Sequence, residues 1–246
     1  MKKLNQIVAQ SGAQVFREIV PVALFSIVSS LVLLPFVFFL PIGMAVFLAV
    51  LLYVPLCTGV LYVTHRMLEG GKGKLRLMWQ GALKFYGASL VYGLMLAVFG
   101  LILVSSWWYY GGKSGTFYFI IAVFQTYFIA MVLVSQVYTL PLVVQERVGI
   151  FTAIGRSFKL FIANPLYTIG AFIQIVCLTV ILGITIVGFG FLYVGMIGIY
   201  LNMLTANLIR KEEGADSESG VLEPIGERDD AFSKEMAGGP SAAALR

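Results

Sequence analysis

Charge is scarce in this chain. Only 12% of its 246 residues are Asp, Glu, Lys or Arg, about half the share of an average soluble domain. Acids are scarcer still, and residues 1–210 hold three: Glu18, Glu69 and Glu146. There is one histidine, His65, and two cysteines, Cys57 and Cys177, each within an apolar run. Each shortage excludes a class of chemistry. A catalytic zinc takes three protein ligands, and a Ser–His pair needs its histidine beside the nucleophile. One histidine at the edge of an apolar run, next to Arg66, supplies neither. With no CxxC and no Cys/His spacing, no metal and no cofactor is expected, and the two thiols read as small buried hydrophobes. No long apolar run contains an ionisable side chain in its interior, so the usual marker of a proton relay or ion path is missing. The reading is of a protein that is not an enzyme.

Hydrophobic residues dominate instead, at 59%, with a mean hydropathy of +0.92. A membrane-crossing helix needs about 20 apolar residues, since each adds about 1.5 Å against a hydrocarbon core of about 30 Å. Six stretches meet that length: residues 19–40, 42–64, 85–108, 116–140, 165–187 and 189–209. The first is too long and too apolar for a signal peptide and reads as a retained span. The predicted fold is all-α, a polytopic membrane bundle of six transmembrane helices with amphipathic segments on its inner face. Its parts are an interfacial helix (1–18), the membrane domain (19–210) and a tail (211–246).

Orientation follows from the basic residues. Lys2, Lys3 and Arg17 precede the first span. Arg66, Lys72, Lys74, Arg76 and Lys84 lie between the second and third. Arg147, Arg156 and Lys159 lie between the fourth and fifth, and Arg210 and Lys211 follow the sixth. With six spans all of these fall on one side, and Lys113 alone falls on the other. Both termini are therefore expected inside. Residues 1–210 carry a balance of +10 and the remaining 36 carry −5. The basic residues are scattered at membrane edges and form no groove, so no nucleic-acid partner is expected. Trp107, Trp108, Tyr109, Tyr110, Phe117 and Tyr118 make an outer aromatic belt, and Trp79 serves the inner side.

Three inner segments have helical apolar spacing. In the first, Leu4, Ile7, Val8, Val15 and Phe16 recur, with Ser11 breaking the face. In 149–165, Phe151, Ile154, Phe158, Phe161 and Ile162 share a face opposite Arg156 and Lys159. Asn164-Pro165 then reads as a helix start, with Asn as the cap. In 75–86, Leu75, Met78, Trp79, Ala82 and Phe85 fall near one face. A shift of 75 residues sets Lys84 on Lys159, Ala88 on Ala163 and Tyr92 on Tyr167, a weak sign of internal repetition.

The polar residues within spans are neutral. Gln125 and Gln136, eleven apart, are expected on one face of the fourth span. Gln174 lies in the fifth, and Asn202 and Asn207 in the sixth. Such amides serve either as interhelical glue, at about 0.6–2 kcal/mol per hydrogen bond, or as the lining of a path for an uncharged solute. Gln125, Gln136, Gln174 and Asn202 are the lining candidates. Pro35 and Pro55 should kink the first two spans. The EGGKGK stretch at 69–74 looks like a phosphate cradle, but a P-loop needs GxxxxGK followed by Ser or Thr, between a strand and a helix. Here Leu75 follows and a membrane helix precedes. Lys72, Lys74 and Arg76, with Arg156 and Lys159, are instead lipid-headgroup candidates. The acidic tail from Glu212 cannot bury enough apolar surface to order itself and reads as disordered and cytoplasmic.

The segments PLCTGVLYVTHRMLEGGKGKLRLMWQGALKFYGASL (55–90) and YTLPLVVQERVGIFTAIGRSFKLFIANPLYTI (138–169) resemble the two halves of the YesL-like family of bacterial membrane proteins. The shared features are a proline-glycine span, a basic Gly-containing inner turn and an Ala-Asn-like helix start. The resemblance covers roughly 20–210. It implies a multi-pass protein of the bacterial cytoplasmic membrane in a transport-associated, sugar-uptake setting, and it brings no catalytic residues. Expected partners are membrane lipids and a membrane protein or a second copy of the chain.

Overall fold

The computed structural model describes residues 3–113 and 115–221, and every element among them is a helix. Residues Lys2–Asn207 form one compact unit, and the segment from Leu208 belongs to a second. Helix α1 (Leu4–Arg17) precedes the first span, α2 (Ile19–Phe39). The second span runs through α3 (Ile42–Leu48), a π-helical turn (Ala49–Tyr53) and α4 (Val54–Leu68). Helix α5 (Leu75–Lys84) leads into the third span, α6 (Tyr86–Gly111). The fourth span is broken into α7 (Thr116–Ser135) and α8 (Thr139–Glu146). Helix α9 (Ile150–Ala163) leads into α10 (Pro165–Ile184), and α11 (Ile186–Val221) carries the sixth span. Among the described residues, six helical segments are long and apolar enough to cross a membrane, and they match the six expected stretches. The architecture is a polytopic helical bundle. The tail expected to be disordered from 211 instead begins as helix up to Val221, because extending an existing helix avoids the cost of nucleating one. The rest of that tail, 222–246, lies outside the described residues.

Two spans depart from regular α-helix, the second through a π turn and the fourth through a break, and prolines explain both. Proline has no N–H, and its ring clashes with the carbonyl four residues back. Four residues before Pro55 is Leu51, inside the π turn, where the Val54 N–H reaches back five residues to the Ala49 carbonyl. Four residues before Pro141 is Val137, in the turn that separates α7 from α8. There the Gln136, Val137 and Thr139 N–H groups bond only three residues back, to Leu133, Val134 and Gln136. Pro35, by contrast, sits within a helix that runs on to Phe39.

The element order has a regular pattern. An amphipathic helix, an outgoing span and a returning span occur three times. The amphipathic helices begin at Leu4, Leu75 and Ile150, so 71 and 75 residues apart. The shift of 75 therefore holds for α5 and α9, and α1 supplies a third copy. Beyond them the register slips, because α6 begins at Tyr86 and α10 at Pro165, which are 79 apart. Tyr92 and Tyr167 thus occupy different places in their helices.

Three residues into each amphipathic helix stand Ile7, Met78 and Ala153, and seven residues in stand Ser11, Ala82 and Ser157; all six are buried. The buried stripe is mostly small, and that corrects the expected faces in part: Ile7, Val15, Met78, Ala82, Phe85 and Phe161 are buried as expected. Ser11 belongs to the stripe and does not break it. It is fully buried, with its hydroxyl donating to the Val8 carbonyl at 2.8 Å, while Phe16 is exposed. In α9 the buried face is Ala153, Ser157, Leu160 and Phe161, and Phe151, Phe158 and Ile162 point outward. In α5 it is Met78, Gly81 and Ala82, with Trp79 and Leu83 outward. Small residues let helices approach closely, and bulky apolar ones lose nothing by facing lipid.

The α4–α5 contact shows how tight this is. A Cβ added at Gly59 would collide with the Met78 carbonyl oxygen and lie 3.1 Å from the Ala82 Cβ. One added at Gly81 would lie 2.7 Å from the Tyr62 Cβ. Gly73 meets Met67, Gly81 meets Tyr62 and Ala82 meets Gly59, so α5 runs antiparallel along α4. Val15, Val22, Phe25, Val60, Met67, Met78, Val194 and Ile199 belong to one apolar core, which joins α1 and α5 to the spans α2, α4 and α11.

Candidate functional site

Two groups of residues could carry a function: the amides inside the bundle and the basic residues at one end of it. The interior group divides around two centres. At the break in the fourth span, Gln136 is 4% exposed. Its Nε2 donates to Ser135 Oγ at 3.1 Å, and its Oε1 accepts from Thr139 Oγ1 at 2.8 Å. The proline-induced break frees backbone carbonyls, and neighbouring helices supply donors. Ser157 Oγ of α9 donates to the Ser135 carbonyl at 2.6 Å, and Tyr92 of α6 donates to the Gln136 carbonyl at 3.3 Å. A broken backbone in a membrane is tolerated when protein groups satisfy it in this way.

The second centre is Asn202 on α11, which is 1% exposed. Its Nδ2 donates to the Leu61 carbonyl at 2.9 Å and Thr64 Oγ1 at 3.0 Å, both on α4, and to the Gly198 carbonyl at 2.9 Å. Its Oδ1 accepts from Gln145 Nε2 of α8 at 2.9 Å. One amide therefore ties three helices together. Gly198 opposite makes room, since a Cβ there would lie 3.1 Å from Thr64 Oγ1. Gln174 on α10 accepts from the Tyr200 hydroxyl at 2.7 Å and donates to Asn5 of α1 at 3.4 Å. Asn207 donates to the Tyr167 hydroxyl at 2.8 Å.

The four lining candidates are not brought together on one surface. The expected shared face of Gln125 and Gln136 fails, because α7 ends at Ser135 and Gln136 lies in the turn beyond it. The physical cause is Pro141, which marks the break in the sequence but which the kink expectation passed over. Gln125 is half-buried, and among the described residues its side chain makes no hydrogen bond. The hydroxyls of Ser11, Ser89, Ser157 and Thr64 are fully shielded, and apolar periodicity gives no sign of their burial. A small polar residue on the stripe of an amphipathic helix is the signal that could have found Ser11 and Ser157. Asn164 does precede Pro165 as the cap residue, but its side chain makes no capping bond. Cys57 is half-buried and Cys177 is exposed, which corrects the expectation that both thiols are buried; a thiol is apolar enough to face lipid.

The five headgroup candidates also divide. Arg156 is paired with Glu146, within hydrogen-bonding reach of its carboxylate. Lys72, Lys74 and Arg76 are exposed, line one shallow cavity of about 450 Å³ with Leu77 and Gln80, and form no ion pair among the described residues. Arg66 is engaged by Glu69 at 3.3 Å, and His65 lies 3.4 Å from the same carboxylate. Lys84 lies over the rings of Tyr62 and Phe85 at 5.8 and 5.4 Å. At the other end of the bundle the aromatic belt is present. Trp107 donates to Thr126 Oγ1 at 2.9 Å, and Lys113 lies 3.9 Å above the Tyr109 ring, whose hydroxyl holds its pKa above the usual lysine value.

No family model, no characterised protein and no solved structure matches this chain. Among the described residues no three His, Cys, Asp or Glu side chains gather closely enough to hold a metal ion.

Proposed function

We propose that this protein is a non-catalytic, multi-pass scaffold or accessory subunit of a bacterial cytoplasmic membrane, with both termini inside and an outer apolar surface that meets a membrane partner. The observation that carries this reading is the use of the interior amides. Asn202, Gln136, Gln174 and Asn207 all spend their hydrogen bonds on other helices or on the break in the fourth span. Amides so engaged hold the bundle together and are not free for a passing solute. Photocrosslinkers placed at outward residues such as Phe124, Phe151 and Leu166 should capture one membrane protein, or a second copy of the chain, in fixed proportion. Scattered capture without a stoichiometric product would reject the scaffold.

A second reading is a path for a small uncharged solute, in line with the sugar-uptake setting that the YesL-like resemblance implies. One observation favours it: the Gln125 amide is half-buried within a span and lacks a hydrogen bond among the described residues. If it lines a path, Gln125→Leu abolishes solute entry; if it is incidental, the change leaves membrane permeability as it was.

A further inference from the structure

Two cavities flank helix α5, and their chemistry differs. The first is the shallow basic one, with Lys72, Lys74, Arg76 and Gln80 in its wall and no acid. The second is a groove of about 250 Å³ whose lining is almost wholly apolar, including Val32, Leu51, Leu52, Pro55, Trp79 and Leu83. The π turn contributes Leu51 and Leu52 to it, so the distortion that Pro55 imposes on the second span also shapes the groove.

The path of α5 orders the two by depth. Gly73 abuts Met67 near the basic end of α4, whereas Ala82 abuts Gly59. Met67 and Gly59 are eight residues apart, about 12 Å along the helix. Helix α5 therefore descends into the bundle from its basic first turn. Arg76, Trp79 and Leu83 stand at i, i+3 and i+7, one stripe of the helix. The stripe begins with a cation level with the end of α4 and continues into apolar groove about 10 Å deeper. Trp79 is 53% and Leu83 73% exposed, so the stripe is open to a ligand.

We propose that α5 seats one anionic phospholipid, its phosphate on Lys72, Lys74 and Arg76 and an acyl chain along Trp79 and Leu83 in the groove. The occupant follows from charge complementarity and amphiphilicity together. A soluble anion would use only the basic cavity, and a neutral lipid would leave three cations without a counter-charge. Two other inner basic residues, Arg66 and Arg156, already have carboxylate partners. The proposal does not depend on whether the protein is a scaffold or a solute path.

The test is lipid retention by the full chain, purified in mixed micelles holding equal phosphatidylglycerol and phosphatidylcholine, and read by native mass spectrometry. One phosphatidylglycerol should be retained in preference to phosphatidylcholine. Arg76→Gln should lower that retention about fivefold, the equivalent of about 1 kcal/mol per phosphate contact. Lys113→Gln, which removes an exposed cation at the other end of the bundle, should leave it unchanged. Leu83→Asn should also lower it, since it places an amide in the groove. All three positions are exposed, so gel filtration should show the variants folded and monodisperse. Equal retention of both lipids, or equal losses from Lys113→Gln and Arg76→Gln, would overturn the site. Retention unaffected by Leu83→Asn would overturn the acyl groove, and displacement by glycerol 3-phosphate would show a soluble phosphate to be the ligand.

Discussion

Replacing Asn202 by leucine tests whether the interior amides hold the bundle together. Leucine keeps asparagine's branched shape but is larger, so overpacking adds to the lost hydrogen bonding, and the coupling to Gln145 isolates the hydrogen-bond part. Three bonds between helices disappear: two donated to Leu61 O and Thr64 Oγ1 of α4, and one accepted from Gln145 of α8. Measured values for such bonds in membrane bundles average about 0.6 kcal/mol. The sum is about 2 kcal/mol, or roughly a thirtyfold shift in the folding equilibrium. Gln145 keeps its second bond, to the Asn202 backbone carbonyl at 3.0 Å, which caps the loss on that side. Reversible unfolding of the purified protein in mixed micelles, driven by added SDS, measures the difference. Gln145→Leu and the double variant complete a cycle, with an expected coupling of about 0.6 kcal/mol between the two amides. An Asn202→Leu protein within about 0.5 kcal/mol of the parent, with no coupling to Gln145, would refute the reasoning and leave this amide free for another task.

Three further changes test the backbone. Gly59→Ala puts a methyl group against the Met78 carbonyl and should cost about 1–3 kcal/mol as α5 is pushed off α4. Gly100→Ala, where nothing lies within 4 Å, should be neutral or stabilising by up to about 1 kcal/mol in the same unfolding assay. Arg147, the residue that ends α8, has φ +57°, a left-handed conformation that glycine adopts without strain. Arg147→Gly should therefore raise stability by about 1 kcal/mol, and a loss would show that the guanidinium makes contacts worth more than the strain.

Much of the architecture is legible in the sequence because membrane spans obey a length rule that needs no partner. The six stretches from Ile19 to Ile209 follow from apolar length alone. The inner helices were legible as elements and in part as faces: Ile7, Val15, Met78, Ala82, Phe85 and Phe161 are buried as expected, whereas Phe16, Trp79, Phe151, Phe158 and Ile162 are exposed. In water, Phe151, Phe158 and Ile162 would have to turn inward; beside lipid they turn outward, and Ala153 and Ser157 take the interior. Apolar periodicity therefore located α9 and turned Phe161 inward as observed, but misplaced Phe151, Phe158 and Ile162. The break at 136–138 was missed because eleven-residue spacing assumes an unbroken helix, and Pro141 cancels that assumption. Lys72, Lys74, Arg76, Arg156 and Lys159 looked alike as charges. Only folding distinguishes Arg156, which reaches Glu146, from the three that share a cavity. Which groups an amide such as Asn202 will meet, 141 residues away at Leu61, is set by packing and not by any local pattern.

Solute flux tests the account most directly. Full-length protein reconstituted in liposomes, challenged with a panel of sugars and polyols in a light-scattering swelling assay, should admit them no faster than protein-free liposomes do. Saturable entry of one of these solutes, abolished by Gln125→Leu or Gln136→Leu, would contradict the claim that the interior amides serve to hold helices together.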